Sequence, residues 1–244
     1  MEYSRGGGYK IISPSEALNL KNSVIIIGTI LNSDEIHKQI KDSGYPLDRV
    51  VSPFHEHSGE EYFDYFEPRE NEIFVDAGCF NGQTALEFSK WANKGYKYIY
   101  SFEANPHLIS DCETTFEMHK LKGEVIGRGL WDTESTLHFD VRPVGGSTIL
   151  DAGKEQIKTT SLDKVLNGKQ VTFIKMDIEG AEYKALIGAR ETINKYRPRL
   201  AICVYHKPED ILEIPALILK IQPNYKFALR QYDSSGLGAI LYAF

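Results

Sequence analysis

Phe74-Val75-Asp76-Ala77-Gly78-Cys79-Phe80-Asn81-Gly82-Gln83-Thr84 passes from an apolar run into spaced glycines and on into a helical pattern. It reads as strand, tight turn, helix. Ile73, Phe74 and Val75 show no polar alternation, as expected of a strand buried on both faces of a parallel sheet. Gly78 and Gly82 carry no Cβ, so the backbone between them can approach a ligand closely. From Asn81 onward Ala85, Leu86, Phe88, Trp91 and Ala92 recur at helical spacing, which points the helix N-terminus back at the turn.

The spacing decides what such a turn can hold. A dinucleotide turn wants G-x-G-x-x-G, whose crowded glycines seat a pyrophosphate on the helix N-terminus. Here the pattern is Asp76-x-Gly78-x-x-x-Gly82. An acid at the strand end repels a pyrophosphate but attracts a cationic amine or sulfonium, or accepts hydrogen bonds from a hydroxyl. That chemistry suits S-adenosylmethionine better than NAD.

At 244 residues the chain is long enough for one well-buried α/β domain with a small addition. A net charge of −6 and the absence of a Lys/Arg-rich run argue against a nucleic-acid partner. No apolar run approaches the roughly 20 residues of a membrane span, and the N-terminus lacks a basic-then-apolar leader pattern. The expected location is cytoplasmic. Cys79, Cys112 and Cys203 are odd in number and lack C-x-x-C spacing, which disfavours both a disulfide framework and a zinc site.

Residues 1–68 read as an N-terminal appendage and linker. Gly6-Gly7-Gly8 suggests a flexible arm. Ser13-Pro14-Ser15-Glu16 is a capping box with proline at the first helical position. Val24 to Gly28, Asp34 to Ser43 and Arg49 to Val51 follow in the order strand, helix, strand, a small Rossmann-like βαβ unit. Gly28-Thr29 alone is weak evidence of a second cradle, and His55-Glu56-His57 lacks a third ligand, so a loop explains it better than a metal. Glu60 to Phe66 interleaves acids with aromatic residues, either covering the core's edge or forming a lid over the cofactor.

Residues 69–244 form the main domain. Its second strand, Tyr96 to Phe102, ends in Glu103, about 27 positions after Asp76 and close to the offset at which nucleoside-binding folds grip ribose hydroxyls with a carboxylate. The third, Glu124 to Ile126, leads to Trp131, placed to lie against an adenine, and Asp132, placed to accept from its amine; packing and turn roles explain both equally. Thr136 to Val141, Gly145-Gly146-Ser147 and Lys158 to Thr160 read as a β-insertion. The fourth strand, Val171 to Met176, ends in Asp177, with Glu179 and Glu182 before a helix that runs to about Tyr196. The fifth, Arg199 to Tyr205, ends in His206. Ligands of open parallel sheets bind beyond such strand ends. Two β-rich runs, Tyr225 to Tyr232 and Leu237 to Phe244, are joined by a turn at Asp233 to Gly236 and close the sheet as an antiparallel hairpin.

Four segments together resemble the FkbM family of S-adenosylmethionine-dependent methyltransferases: Phe74 to Gly82, Phe102-Glu103-Ala104-Asn105-Pro106, Thr160-Ser161-Leu162-Asp163, and Ile174 to Glu182. The family's usual turn is Gly-Ala-Asn-x-Gly, and this chain has Gly78-Cys79-Phe80-Asn81-Gly82. The resemblance implies an α/β class I (Rossmann-like) fold with a seven-strand sheet, and O-methylation of a sugar, glycan or polyketide hydroxyl. It implies cofactor contacts at Asp76, Gly78, Cys79, Phe80, Asn81, Gly82, Glu103, Ala104 and Asn105, joined by Trp131 and Asp132. Asp177 or His206 is the expected acceptor of the hydroxyl proton. A divalent ion on Asp177, Glu179 and a further acid is the second reading, so no metal is expected. A nicotinamide oxidoreductase and a non-catalytic scaffold are the rival functions, and a homodimer is compatible with the sequence.

Overall fold

In the computed structural model the apolar runs become the strands of one central sheet. The structure describes residues 13–20, 25–27, 33–51, 61–140, 148–149, 155–232 and 238–244. Gly6-Gly7-Gly8, Gly28-Thr29, His55-Glu56-His57, Gly145-Gly146-Ser147 and the turn at Asp233 to Gly236 lie outside them.

The N-terminal elements are α1 (Pro14–Leu18), β1 (Ile25–Ile26), α2 (Ser33–Asp42) and β2 (Val50–Val51). α1 starts as its sequence dictates: the Glu16 N–H donates to the Ser13 hydroxyl at 3.2 Å, and the Ser13 N–H donates to the Glu16 carboxylate at 2.8 Å. β1 and β2 pair in parallel, completing the βαβ unit around a small cluster of Ile27, Ile40 and Tyr45.

The main domain continues with β3 (Glu72–Ala77), α3 (Gln83–Trp91), β4 (Tyr96–Phe102), α4 (Ile109–His119) and β5 (Gly123–Ile126). A smaller sheet follows, built from β6 (Gly129–Leu130), β7 (Thr136–Asp140), β8 (Thr148–Ile149) and β9 (Glu155–Thr160) in the order β6-β9-β7-β8. It is the expected insertion. Then come α5 (Leu162–Leu166), β10 (Phe173–Met176), α6 (Glu182–Ile187), α7 (Arg190–Tyr196), β11 (Arg199–Cys203), α8 (Asp210–Ile221), β12 (Phe227–Gln231) and β13 (Ala239–Ala243).

The central sheet has seven strands in the order β12-β13-β11-β10-β3-β4-β5. β5, β4, β3, β10 and β11 run parallel, while β13 is antiparallel to both β11 and β12. This is the class I fold with its antiparallel C-terminal hairpin. Both faces are buried, as strands without polar alternation require. One face joins Val75, Phe102, Ile174, Met176 and Ile202 to the helices on that side. The other is aromatic, with Phe63, Phe74, Phe88, Phe173 and Tyr242. Among the described residues no helix is long and apolar enough to cross a membrane.

Two features depart from expectation. Residues 61–66 are anchored in the core rather than laid over its edge: the Phe63 ring lies 5.5–6.2 Å from those of Phe74, Phe88, Trp91 and Phe173. The helix expected to run to Tyr196 is divided at Gly188-Ala189. A Cβ on Gly188 would lie 2.0 Å from the Trp131 carbonyl oxygen, so only glycine admits that close approach. The second helix gets its own cap from α5, where the Asp163 carboxylate accepts from the Glu191 and Thr192 N–H groups at 2.9 Å.

Candidate active site

The glycine turn is held from beneath and from one side. The N–H groups of Gly78 and Cys79 donate to the Phe102 carbonyl at 3.0 and 3.1 Å, tying the end of β3 to the end of β4. Gly78 has φ +78°, and a Cβ there would lie 1.9 Å from the Asp177 carbonyl oxygen. Glycine is required on both counts. Glu103 closes the other side: its carboxylate accepts from the Phe80 N–H at 2.9 Å and the Asn105 N–H at 2.8 Å. Burial pushes Glu103 above the usual carboxylate range, opposed by these two N–H groups and by Lys175. Each oxygen still has a lone pair for a ribose diol, so the turn and Glu103 together fit an adenosyl group.

The other residues of this stretch divide by role. Phe80, at φ +52° and 42% exposed, turns its ring outward beside Glu103. Cys79 turns its side chain inward, with Sγ 3.1 Å from that of Cys112, so only its backbone faces the turn. Asn81 braces the start of α3, accepting from the Gln83 N–H at 3.1 Å, and its carbonyl accepts from the Thr115 hydroxyl at 2.7 Å. Gly82 is the left-handed residue before α3, at φ +82°. Asn105 is buried and accepts from the His107 N–H at 3.0 Å, which opens the approach to α4. Ala104 packs beside Gly129.

Asp76 does not meet a ligand as its position suggested. It is fully buried and is the direct register partner of Lys175 on β10, whose Nζ lies 3.1 Å from Asp76 Oδ1. The same ammonium donates to the Gly78 carbonyl at 2.8 Å and lies 5.2 Å from the centroid of the Tyr62 ring. Burial works against the charge on Lys175, but Asp76 and Asp177 outweigh it and hold the ammonium protonated. Asp76 and Lys175 thus form a strut under the turn, and attraction of a sulfonium by Asp76 is corrected accordingly.

Asp177 stands on the rim of the sheet, with a side chain 25% exposed. It is not a helix cap, because α6 starts only at Glu182. Tyr62 donates to its Oδ2 at 3.0 Å and Tyr205 to its Oδ1 at 3.1 Å. Burial raises its pKa, but Lys175, His206 and the two tyrosine hydroxyls outweigh that and leave it below the usual carboxylate range. His206 lies within 3.0–3.4 Å of Asp177, Glu179 and Glu182. Burial favours the neutral ring, but Glu179, Glu182 and Asp177 outweigh it and push His206 up to about 10. An imidazolium has no lone pair, so the expected role of His206 as a proton acceptor is corrected to that of a cation among carboxylates.

Trp131 and Asp132 face α6 instead of the turn. Asp132 pairs with Lys184 at 2.8 Å, and the same ammonium lies 5.8 Å from the Trp131 ring. The structure therefore brings together Gly78, Phe80 and Glu103, with Asp177 and His206 at the next strand ends. Tyr62, Lys175 and Tyr205 escaped the sequence reading. Lys175 had a visible signal, a lone cation in a run otherwise apolar from Phe173 to Met176. The tyrosines had none, since their role depends on a hydroxyl reaching Asp177 from distant segments.

The fold agrees with the comparisons to known proteins. The description "Methyltransferase FkbM domain" matches residues 76–229. A crystal structure of methyltransferase FkbM from Methylobacillus flagellatus KT superposes with a TM-score of 0.64 at 24% identity, over 75% of this chain and 47% of that one. The chain thus spans about half the length of that protein. Precorrin-6y C5,15-methyltransferase from Geobacter metallireducens GS-15 superposes with a TM-score of 0.50 at 8% identity, over 78% of this chain and 93% of that one. Both likenesses concern the fold. No curated protein sequence matches the chain. With the domain match covering more than half its length, the chain belongs to the FkbM methyltransferase family.

Proposed function

We propose that the chain transfers a methyl group from S-adenosylmethionine to a hydroxyl of a small-molecule or glycan acceptor, of the sugar or polyketide type. The observation that carries the cofactor half is the clamp of Glu103 on the Phe80 and Asn105 N–H groups beside a turn only glycine can make. When bound there, S-adenosylmethionine supplies an electrophilic methyl carbon. Glu103 accepts the ribose hydroxyls, and the backbone from Gly78 to Gly82 lies along the nucleoside. Asp177, oriented by Tyr62 and Tyr205, accepts a hydrogen bond from the acceptor hydroxyl and takes its proton as the new C–O bond forms and the bond from methyl carbon to sulfur breaks. Its lowered pKa makes it a weak base, so aligning the oxygen with the methyl carbon supplies most of the acceleration.

Calorimetry with S-adenosylhomocysteine tests the cofactor half: one site per chain is expected, weakened about tenfold by Glu103→Gln, in line with a lost charge-assisted hydrogen bond. Absence of binding, alongside binding of NADH, would shift support to the oxidoreductase. Transfer of a labelled methyl group to a panel of hydroxylated acceptors tests the other half; binding without transfer to any of them would favour the scaffold.

A further inference from the structure

Beyond the glycine turn, the rim carries a second constellation. Asp177 at the end of β10, Glu182 at the start of α6 and His206 after β11 each offer one ligand atom, all within 4.8 Å of one another. Glu182 is fully buried. Its Oε1 accepts from the Ile178 N–H at 2.8 Å and lies 3.0 Å from His206 Nδ1, while its Oε2 is buried without a hydrogen-bond partner. The His206 side chain is 8% exposed, and neither ring nitrogen is aligned in a hydrogen bond despite carboxylates at 3.0–3.4 Å. Behind them Asp210 leaves Oδ2 buried and unpartnered as well.

Buried polar atoms without partners are costly and rare, and here they occur together. Charge points the same way. Asp177, Glu179 and Glu182 surround one imidazole, so negative charge remains in excess even when that ring is protonated. The neighbouring ammonium groups are directed elsewhere: Lys175 to Asp76 and the Gly78 carbonyl, Lys207 to the Gly180 carbonyl.

We infer that Asp177, Glu182 and His206 hold a divalent first-row transition cation. Two carboxylates and an imidazole form the mixed oxygen and nitrogen set that suits Mn²⁺, Fe²⁺, Co²⁺ or Zn²⁺ better than Ca²⁺, which prefers oxygen ligands throughout. The cation takes the place of the proton on His206, because only the neutral ring can ligate. Gly78 packs directly on the Asp177 carbonyl, so the site adjoins the cofactor turn. There the cation would take the acceptor's hydroxyl oxygen as a further ligand and lower its pKa. That role rests on the methyltransferase reading, whereas the cation site itself does not.

The test is titration of the full chain, stripped with chelator and desalted, with Mn²⁺ followed by electron paramagnetic resonance. One Mn²⁺ per chain is expected, with binding weakened at least tenfold by Glu182→Gln and by His206→Gln and unchanged by Glu134→Gln on the exposed surface. His206→Gln answers the question where Glu182→Gln fails to fold. Absence of stoichiometric binding of Mn²⁺, Co²⁺ and Zn²⁺ overturns the inference, as does Mn²⁺ binding that folded variants leave intact. S-adenosylhomocysteine calorimetry on the same samples separates the two readings: nucleoside binding without Mn²⁺ removes only the cation site, and Mn²⁺ binding without the nucleoside removes only the methyltransferase role.

Discussion

The two ends of the same parallel strands carry buried charges in opposite conditions. At the N-terminal end Glu72 and Arg199 are matched in a network that leaves one of their buried atoms, the Arg199 Nε, without a hydrogen-bond partner. The Glu72 carboxylate takes the Arg199 guanidinium, the Thr172 hydroxyl and the Arg69 N–H, the last at 2.7 Å. Arg199 also donates to the Glu67 carbonyl at 2.6 Å and lies 5.3–5.5 Å from the rings of Phe66, Trp91 and Phe173. At the C-terminal end Glu182, His206 and Asp210 keep buried atoms without hydrogen-bond partners, while Asp76 is paired with Lys175. One end is closed on itself apart from that one atom, and the other keeps several such atoms around a group of carboxylates. On the functions proposed above, the difference separates residues that hold the fold from residues that serve a site, although both groups are charged and buried.

Breaking the closed end is expected to have the largest effect. Arg199→Met leaves Glu72 buried without its cation and is expected to cost about 3–5 kcal/mol in urea unfolding. S-adenosylhomocysteine affinity of the folded protein should be unchanged. Lys175→Met tests the strut at the open end, with a loss of about 3 kcal/mol together with at least about tenfold weaker nucleoside binding. The double variant Lys175→Met with Asp76→Asn should recover part of the stability, because no charge is stranded. Loss of stability alone, with affinity intact, would place the strut with the closed end.

Two further substitutions sharpen the open end. Asp177→Asn is expected to lower kcat about 100-fold while leaving S-adenosylhomocysteine affinity within about twofold, the pattern of a group that acts on the acceptor side. Gly78→Ala forces the turn off the Asp177 carbonyl, which a Cβ would meet at 1.9 Å, and is expected to weaken nucleoside binding at least about tenfold together with a loss of stability. An unaltered Kd there would mean that the turn is not the nucleoside's seat.

Much of the fold was legible because parallel strands buried on both faces have no polar alternation, and Phe74 to Ala77, Phe173 to Met176 and Arg199 to Cys203 all read so. The glycine turn and Glu103 were legible through their fixed offsets from those strands. The division at Gly188 was not, since it depends on the Trp131 carbonyl approaching from a distant loop. Asp76 was misread for a similar reason: an acid at a strand end looks the same whether it faces a ligand or a lysine one strand away. His206 is legible as the residue after a strand, but the three carboxylates within 3.4 Å of it are gathered only by the folded chain.

The most direct test of the central claim is a crystal structure of the chain with S-adenosylhomocysteine. Both ribose hydroxyls are expected within hydrogen-bond distance of the Glu103 carboxylate, with the nucleoside lying along the backbone from Gly78 to Gly82. A nucleoside bound at any other place, with Glu103 still held only by Phe80 and Asn105, would contradict that claim.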